Sequence, residues 1–130
     1  MKKIISLCAV LLLVVSAAYA QSKNANIITE ISATETEFDF GEIKEVNGPV
    51  THIFTIKNTG KAPLVITRVA ASCGCTKPEF ETEPIAPGKT GKIKVTYNPA
   101  GRPGQFVKTI SVYSNGKEGA FILRIKGVVR

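Results

Sequence analysis

Two cysteines separated by one glycine, Cys73 and Cys75, are the residues whose type and spacing could carry special chemistry in this chain. In a regular strand their Cα atoms would lie about 6.5 Å apart, near the outer limit for a disulfide. Gly74 lets the backbone leave the β region, so that the two sulfurs can meet or share an ion. Three interpretations follow: a local disulfide or packed thiol pair that shapes a turn, an easily reduced bond suited to thiol exchange, or two thiolates that hold copper(I).

Stability and zinc are both weak explanations of the cysteine pair. A disulfide that closes so short a loop would stabilise the fold by only about 1.6 kcal/mol on the chain-entropy estimate. A structural zinc site needs four ligands, whereas the chain after residue 20 offers these two cysteines and one histidine. The sequence therefore predicts Cys73 and Cys75 as disulfide or thiol candidates, with copper(I) as the metal they could bind.

The single histidine, His52, does not suggest a catalytic site. It lies on the same strand parity as Phe54 and Ile56, which favours a partly buried, hydrogen-bonded histidine over a ligand or a general base. The acidic cluster within residues 79–83 is expected to be a solvated face. No glycine-rich loop follows a strand and opens a helix, so nucleotide chemistry is unsupported as well. We therefore expect a protein that is not an enzyme.

The first 20 residues have the pattern of a secretory signal peptide. Lys2 and Lys3 form a charged start, residues 4–15 form an apolar stretch, and small residues precede a cleavage site between Ala20 and Gln21. The apolar stretch is short for a membrane span, and nothing comparably hydrophobic follows it. We expect export to the periplasm or beyond, with no membrane span after signal removal.

Charge is unevenly distributed in the remaining 110 residues, which are enough for one domain. They carry 15 basic and 10 acidic side chains, a formal charge of +5; residues 21–83 have a net charge of −3 and residues 84–130 one of +8. The lysines could line solvent-facing strands and prevent edge pairing, or they could form a basic face for anionic envelope polymers. Nucleic acid is not expected as a partner, because no aromatic residues interleave with the lysines and the chain is expected to be exported.

Beyond residue 35 the chain consists of short β-type runs separated by glycine, proline and asparagine turns. Residues 21–35 are polar and are interpreted as an N-terminal tether or a frayed first strand, and residues 36–130 as the domain. A short run, Phe38–Phe40, ends at Gly41. The main strands are predicted near 50–57, 64–69, 92–97, 105–113 and 120–128.

Alternation of apolar and polar residues along these runs predicts an antiparallel sandwich of six or seven strands, because strands of a parallel α/β sheet would be apolar on both faces. Phe40 is expected to close one end of the core. The predicted core residues are Phe54, Ile56, Leu64, Ile66, Ile93, Val95, Tyr97, Ile110, Val112, Leu123 and Ile125.

A series of short motifs resembles one family of exported bacterial proteins, the domain of unknown function 1573, from about Phe38 to Val129. The order of the motifs, together with the Cys-Gly-Cys block, makes the resemblance specific. The motifs are Phe38-x-Phe-Gly41, Phe54-Thr-Ile-Lys-Asn58-Thr-Gly60, Pro63-Leu-Val-Ile66, Ser72-Cys-Gly-Cys-Thr76, Ile85-Ala-Pro-Gly88, Lys94-Val-Thr-Tyr-Asn-Pro99 and Ile110-Ser-Val-Tyr-Ser-Asn115.

The resemblance implies an immunoglobulin-like sandwich, similar in its Pro-Gly turn and Asn-Pro strand end to cilium- and centrosome-associated modules. It implies no established activity, and a fold does not supply one. Two hypotheses follow from the sequence. The first is a binding or scaffolding module that contacts another envelope or secreted protein, or an anionic envelope polymer. The second is a periplasmic thiol-redox or copper(I)-handling protein that acts through Cys73 and Cys75.

Overall fold

Eight strands and one short 3₁₀ turn are present in the computed structural model, which describes residues 30–116 and 119–130. The 3₁₀ turn covers Glu45–Asn47. The predicted signal peptide and its Ala20–Gln21 cleavage site lie outside the described residues and stay predictions. The strands are β1 (Ile31–Ala33), β2 (Glu37–Ile43), β3 (Val50–Asn58), β4 (Ile66–Ala71), β5 (Thr76–Phe80), β6 (Thr90–Tyr97), β7 (Gly104–Ser114) and β8 (Phe121–Val129).

The strands form two four-stranded sheets. Sheet A has the order β1-β3-β6-β5, and sheet B has the order β2-β8-β7-β4. Each sheet turns one face toward a shared core and the other toward solvent, which is the arrangement of a sandwich. The predicted all-β sandwich is confirmed, with eight strands where the sequence indicated six or seven.

Strand parity was predicted correctly along the main strands. In β6, Ile93, Val95 and Tyr97 point into the core, while Lys92 and Lys94 are exposed. All of the predicted core residues are buried, and Phe40 packs against them from one end. The buried cluster also includes four apolar residues outside the predicted set: Cys75, Ile85, Phe106 and Val129.

The second strand differs from the sequence-based expectation in length and direction. It continues past Gly41 to Ile43, because a bulge with Gly41 at φ 68° absorbs the register shift between Asp39 and Glu42. The Asp39 carboxylate accepts a hydrogen bond from the Gly41 amide at 2.7 Å. β2 pairs with β8 in parallel, so the sandwich is not wholly antiparallel. Alternation reports which face a side chain occupies, and it carries no information about the direction of the neighbouring strand.

The edges of sheet A also hold strands that the sequence did not identify with certainty. β5 was missed because Pro78 interrupts its pattern, but a proline is tolerated there since β5 is an edge strand with one side unpaired. At the other edge, β1 lies within the predicted tether and pairs with β3. The end of that segment is therefore a strand, the second of the two structures considered for it.

Gly127 in β8 is a position where a side chain would collide with its surroundings. A Cβ added there would lie 2.9 Å from the carbonyl oxygen of Gly41 and 2.9 Å from two carbons of the Phe106 ring. We expect Gly127→Ala to lower the free energy of unfolding by about 1–3 kcal/mol, because backbone and ring must both shift. Chemical denaturation would measure the change. Gly119→Ala is the control, since nothing lies within 4 Å of its Cβ position; equal effects of the two substitutions would contradict the prediction.

Candidate functional sites

The Cys-Gly-Cys segment forms the connection between the two sheets. It leaves β4, an edge strand of sheet B, and enters β5, an edge strand of sheet A. The Ser72 amide donates to the Thr109 carbonyl at 2.9 Å, and the Thr109 amide donates to the Ser72 hydroxyl at 3.1 Å. On the far side, the Asn98 amide donates to the carbonyl of Cys75 at 2.9 Å. The connection is thus held at both ends by hydrogen bonds.

Within this connection the two sulfurs form a disulfide, with the Cα atoms 5.2 Å apart. A turn brings them together, closed by the Thr76 amide donating to the Cys73 carbonyl at 3.1 Å. The two cysteines differ in their surroundings. Cys75 is only 7% exposed and belongs to the core, whereas Cys73 is partly exposed at its edge. The Cys75 amide donates to Sγ of Cys73 at 3.2 Å, and the Thr76 hydroxyl lies 3.6 Å from Sγ of Cys75.

Among the described residues, neither a cluster of metal ligands nor an activating lysine lies beside Cys73 and Cys75. Within residues 30–116 and 119–130, no group of three or more histidine, cysteine or acidic side chains could hold a metal ion. Sulfurs joined in a disulfide offer no thiolate, so copper(I) binding by Cys73 and Cys75 is an expectation for the reduced chain only. Lys77, the nearest lysine in sequence, lies on the solvent face of β5, where its ammonium is 3.8 Å from the carboxylate of Glu79.

His52 packs among aromatic rings between the sheets. Its imidazole stacks on Phe38 of the opposite sheet, with ring centroids 3.6 Å apart and planes 8° from parallel, and it meets Phe54 edge to face at 4.7 Å. Nε2 lies 3.4 Å from a carboxylate oxygen of Glu35 but makes no hydrogen bond. The side chain is therefore partly buried, as predicted, although aromatic stacking replaces the expected hydrogen bond.

Asn58 is a buried polar residue whose importance the sequence did not reveal. Its side-chain amide donates to the carbonyls of Ala62 and Ile85, both at 2.8 Å, and its side-chain oxygen accepts from the Gly60 amide at 2.9 Å. It thereby joins the end of β3 to two turns. The signal was the Asn-x-Gly turn, which indicates that the asparagine side chain bonds to the backbone two residues later, but it gives no information about burial.

The outer face of sheet A carries most of the exposed lysines that alternate with core residues. Lys94 pairs across the strands with Ile53, which is 48% exposed, and with Glu79 on the other side. The carboxylate of Glu79 lies 3.8 Å from the ammonium of Lys94 and 3.8 Å from that of Lys77. No other carboxylate of the described residues lies within 4.0 Å of a lysine on this face. We call this surface the basic face; its charged residues are Lys57, Lys77, Glu79, Lys92 and Lys94.

On the outer face of sheet B, two basic residues form ion pairs with acids of β2. The Lys126 ammonium lies 2.7 Å from the Glu37 carboxylate, and the Arg130 guanidinium lies 2.8 Å from that of Glu42. Glu37 raises the pKa of Lys126 through this hydrogen bond. The parallel pairing of β2 with β8 brings these partners together. Lys126 and Arg130 thus each have an acid partner of their own, whereas the four lysines of the basic face have one carboxylate, that of Glu79, among them.

In the part of the chain that the structure describes, no helix has the length and apolar character needed to cross a membrane.

Comparison with known proteins finds a matching family model and solved structures with a similar fold. A family model described as "Protein of unknown function (DUF1573)" matches residues 31–129. No curated protein matches the chain in sequence.

Solved structures with a similar fold include the following three proteins. A protein of unknown function from Porphyromonas gingivalis W83 is 18% identical with a TM-score of 0.65, over 78% of this chain and 46% of that one. The VesB protease of Vibrio cholerae is 16% identical with a TM-score of 0.62, over 77% and 31%. PapD-like domain 7 of human CEP192 is 9% identical with a TM-score of 0.62, over 80% and 86%. The chain spans less than half of the two bacterial proteins, and at these identities the likeness is one of fold alone.

Proposed function

Since this chain belongs to the DUF1573 family of proteins of unknown function, we propose a function from its surfaces: it is an exported, non-enzymatic binding module, and it holds an anionic envelope polymer on the basic face of sheet A. The observation that carries this proposal is the difference between the two outer faces. Sheet B pairs Lys126 and Arg130 with acids, whereas the lysines of sheet A share one carboxylate, that of Glu79.

The geometry of the basic face suits a repeating anion. Lys92 and Lys94 lie two residues apart on β6, so their attachment points are about 6.8 Å apart along the strand. Strand neighbours lie about 4.8 Å apart across the sheet, which extends the charged surface sideways to Lys57 and Lys77. A linear polymer with a carboxylate or phosphate on each unit can contact several of these ammonium groups at once. A protein partner is less well suited, because lysine is depleted in the cores of protein interfaces.

The structural roles of the polar residues support a non-enzymatic module. His52 is stacked between aromatic rings of the two sheets, and the hydrogen-bonding groups of the Asn58 side chain are all used within the fold. Neither is free to act as a general base or nucleophile toward a substrate. Export is supported by the signal peptide pattern that ends at Ala20.

Binding of two soluble polymers tests the proposal, alginate for carboxylates and polyphosphate for phosphates. We expect Lys92→Gln/Lys94→Gln to weaken binding of the preferred polymer by about 30-fold, since each lysine near an anionic surface contributes about 1 kcal/mol. Titration calorimetry at physiological salt would measure the affinity. Lys126→Gln/Arg130→Gln is the matched control, because it removes the same charge from the face of sheet B; we expect less than about a threefold loss, since those charges are already paired.

The possible results of the binding experiment lead to different conclusions. Equal losses in the two double variants would show that net charge, rather than the basic face, attracts the polymer. Failure of both polymers to bind the unaltered chain would overturn the proposal. Crosslinking of Lys92 or Lys94 to one envelope protein, with no polymer bound, would assign the face to a protein partner instead.

A further inference from the structure

The two sulfurs of the Cys73–Cys75 disulfide lie in different environments, and this difference has a chemical consequence. We propose that the bond is a thiol-exchange site in which an incoming thiolate attacks Cys73, while Cys75 is the leaving sulfur. The substrate class is an exposed thiol or dithiol of another molecule. This function is separate from polymer binding and adds a redox reaction to the non-enzymatic role proposed above. Cys73 and Cys75 lie at the connection between the sheets, and the basic face lies on the outer surface of sheet A.

Access distinguishes the two sulfurs. Cys75 belongs to the buried core and is 7% exposed, whereas Cys73 is partly exposed at the edge of that core. Thiol exchange requires the nucleophile to reach one sulfur along the bond axis, and its rate depends on which sulfur can be reached. Attack at Cys73 makes Cys75 the leaving group.

Hydrogen bonding favours the same assignment. The amide of Cys75 donates to Sγ of Cys73 at 3.2 Å. In each exchange step negative charge builds on the attacking sulfur and on the leaving sulfur, so this donor acts in the second step, when Cys73 leaves the mixed disulfide as a thiolate. The Thr76 hydroxyl lies 3.6 Å from Sγ of Cys75, where it can donate to the sulfur that leaves.

The fold does not need this bond to hold its shape. A disulfide across so short a loop contributes only about 1.6 kcal/mol on the chain-entropy estimate. The connection is also held by the hydrogen bonds of Ser72 with Thr109 and of Asn98 with Cys75. The bond can therefore open and close while both sheets stay in place, as a reusable exchange site requires.

The reaction balances in two steps. A substrate thiolate attacks Sγ of Cys73, the Cys73–Cys75 bond breaks, and Cys75 leaves as a thiolate that takes up a proton. A second substrate thiolate then attacks the substrate sulfur of the mixed disulfide, and Cys73 leaves as a thiolate, stabilised by the Cys75 amide. Two substrate thiols lose two electrons and two protons to become a disulfide, and the Cys73–Cys75 disulfide becomes two thiols.

Reduced glutathione is the probe for the first step. The oxidised full chain is mixed with glutathione, free thiols are alkylated, and fragment-ion mass spectrometry locates the glutathione. Cys8 does not interfere, because Lys23 and Arg68 place tryptic cleavage sites between it and the Cys-Gly-Cys peptide. We expect glutathione on Cys73 to exceed that on Cys75 by at least about tenfold. In concentrated guanidinium chloride, where both sulfurs are accessible, the ratio should fall toward one.

A matched pair of variants tests the same assignment from the other direction. Cys75→Ser leaves Cys73 as the free thiol, and Cys73→Ser leaves Cys75. We expect Cys73 to react at least about ten times faster with an aromatic disulfide, with circular dichroism confirming that both variants are folded. The wild-type glutathione experiment stands alone if the buried serine in Cys75→Ser prevents folding. The proposal is overturned if glutathione labels Cys75 equally or preferentially in the folded chain, or if the folded chain forms no mixed disulfide.

Discussion

Replacing Asn58 with alanine is expected to lower the free energy of unfolding by about 3–5 kcal/mol. Asn58 is fully buried, and the substitution leaves the carbonyl of Ala62 and the amide of Gly60 without their partner. The carbonyl of Ile85 loses one of its two donors and keeps the amide of Leu64 at 2.9 Å. Each buried group left unsatisfied costs about 1–3 kcal/mol. Urea denaturation followed by circular dichroism would measure the change.

Asn115 provides a matched control, since it has a similar set of bonds at the surface. Its side-chain oxygen accepts from the Val65 amide at 2.8 Å, and its side-chain nitrogen donates to the Pro63 carbonyl at 3.1 Å, both in exposed positions. Water can replace these partners, so we expect Asn115→Ala to cost only about 0.5–1.5 kcal/mol. The explanation from burial would be wrong if the two alanine variants were equally stable.

The second large effect is expected at Leu123, the third residue of β8. Its side chain is 0% exposed, so truncation to alanine leaves a cavity and should cost about 2–5 kcal/mol. The preceding residue, Ile122, points to the outer face of the same strand and is 37% exposed. We expect Ile122→Ala to change the stability by less than about 1 kcal/mol.

Comparing these two neighbours tests the register of β8 directly. Parity along a strand decides which side chains are buried, and a slip of one residue would exchange the roles of Leu123 and Ile122. Equilibrium unfolding of both alanine variants under the same conditions is sufficient. A larger loss at Ile122 than at Leu123 would mean that the strand faces the opposite way in solution.

The sequence predicted the parts of the fold that depend on local alternation. Ile93 and Val95 are buried and Lys92 and Lys94 exposed because a pleated strand alternates its side chains, and this pattern is visible in the chain itself. The parallel pairing of β2 was not predictable in this way. It depends on which sheet the chain enters after β1, and that is decided by contacts between residues far apart in sequence, such as Glu37 with Arg124.

The candidate sites were predictable to a similar degree. Residue type and spacing were enough to single out Cys73 and Cys75, but the difference in their exposure arises from the path of the chain between the sheets. Likewise, the excess of lysine in the C-terminal half was evident from composition. The sequence did not show which of these basic residues would be paired with acids on sheet B and which would lie on the basic face. That depends on the positions of Glu37 and Glu42 on β2, a strand from the acidic half of the chain.

The parallel pairing of β2 with β8 also sets the order in which the molecule can be completed. A polypeptide emerges from the ribosome with its N-terminus first, and β2 is among the first strands to appear. Its partner is β8, the last of the eight strands in the described residues, with Glu37 opposite Arg124 and Ile43 opposite Val129. Sheet B therefore cannot be completed until β8 has emerged, and non-local pairing of this kind is slow. Until then β2 has no strand to pair with, and one edge of sheet B stays incomplete.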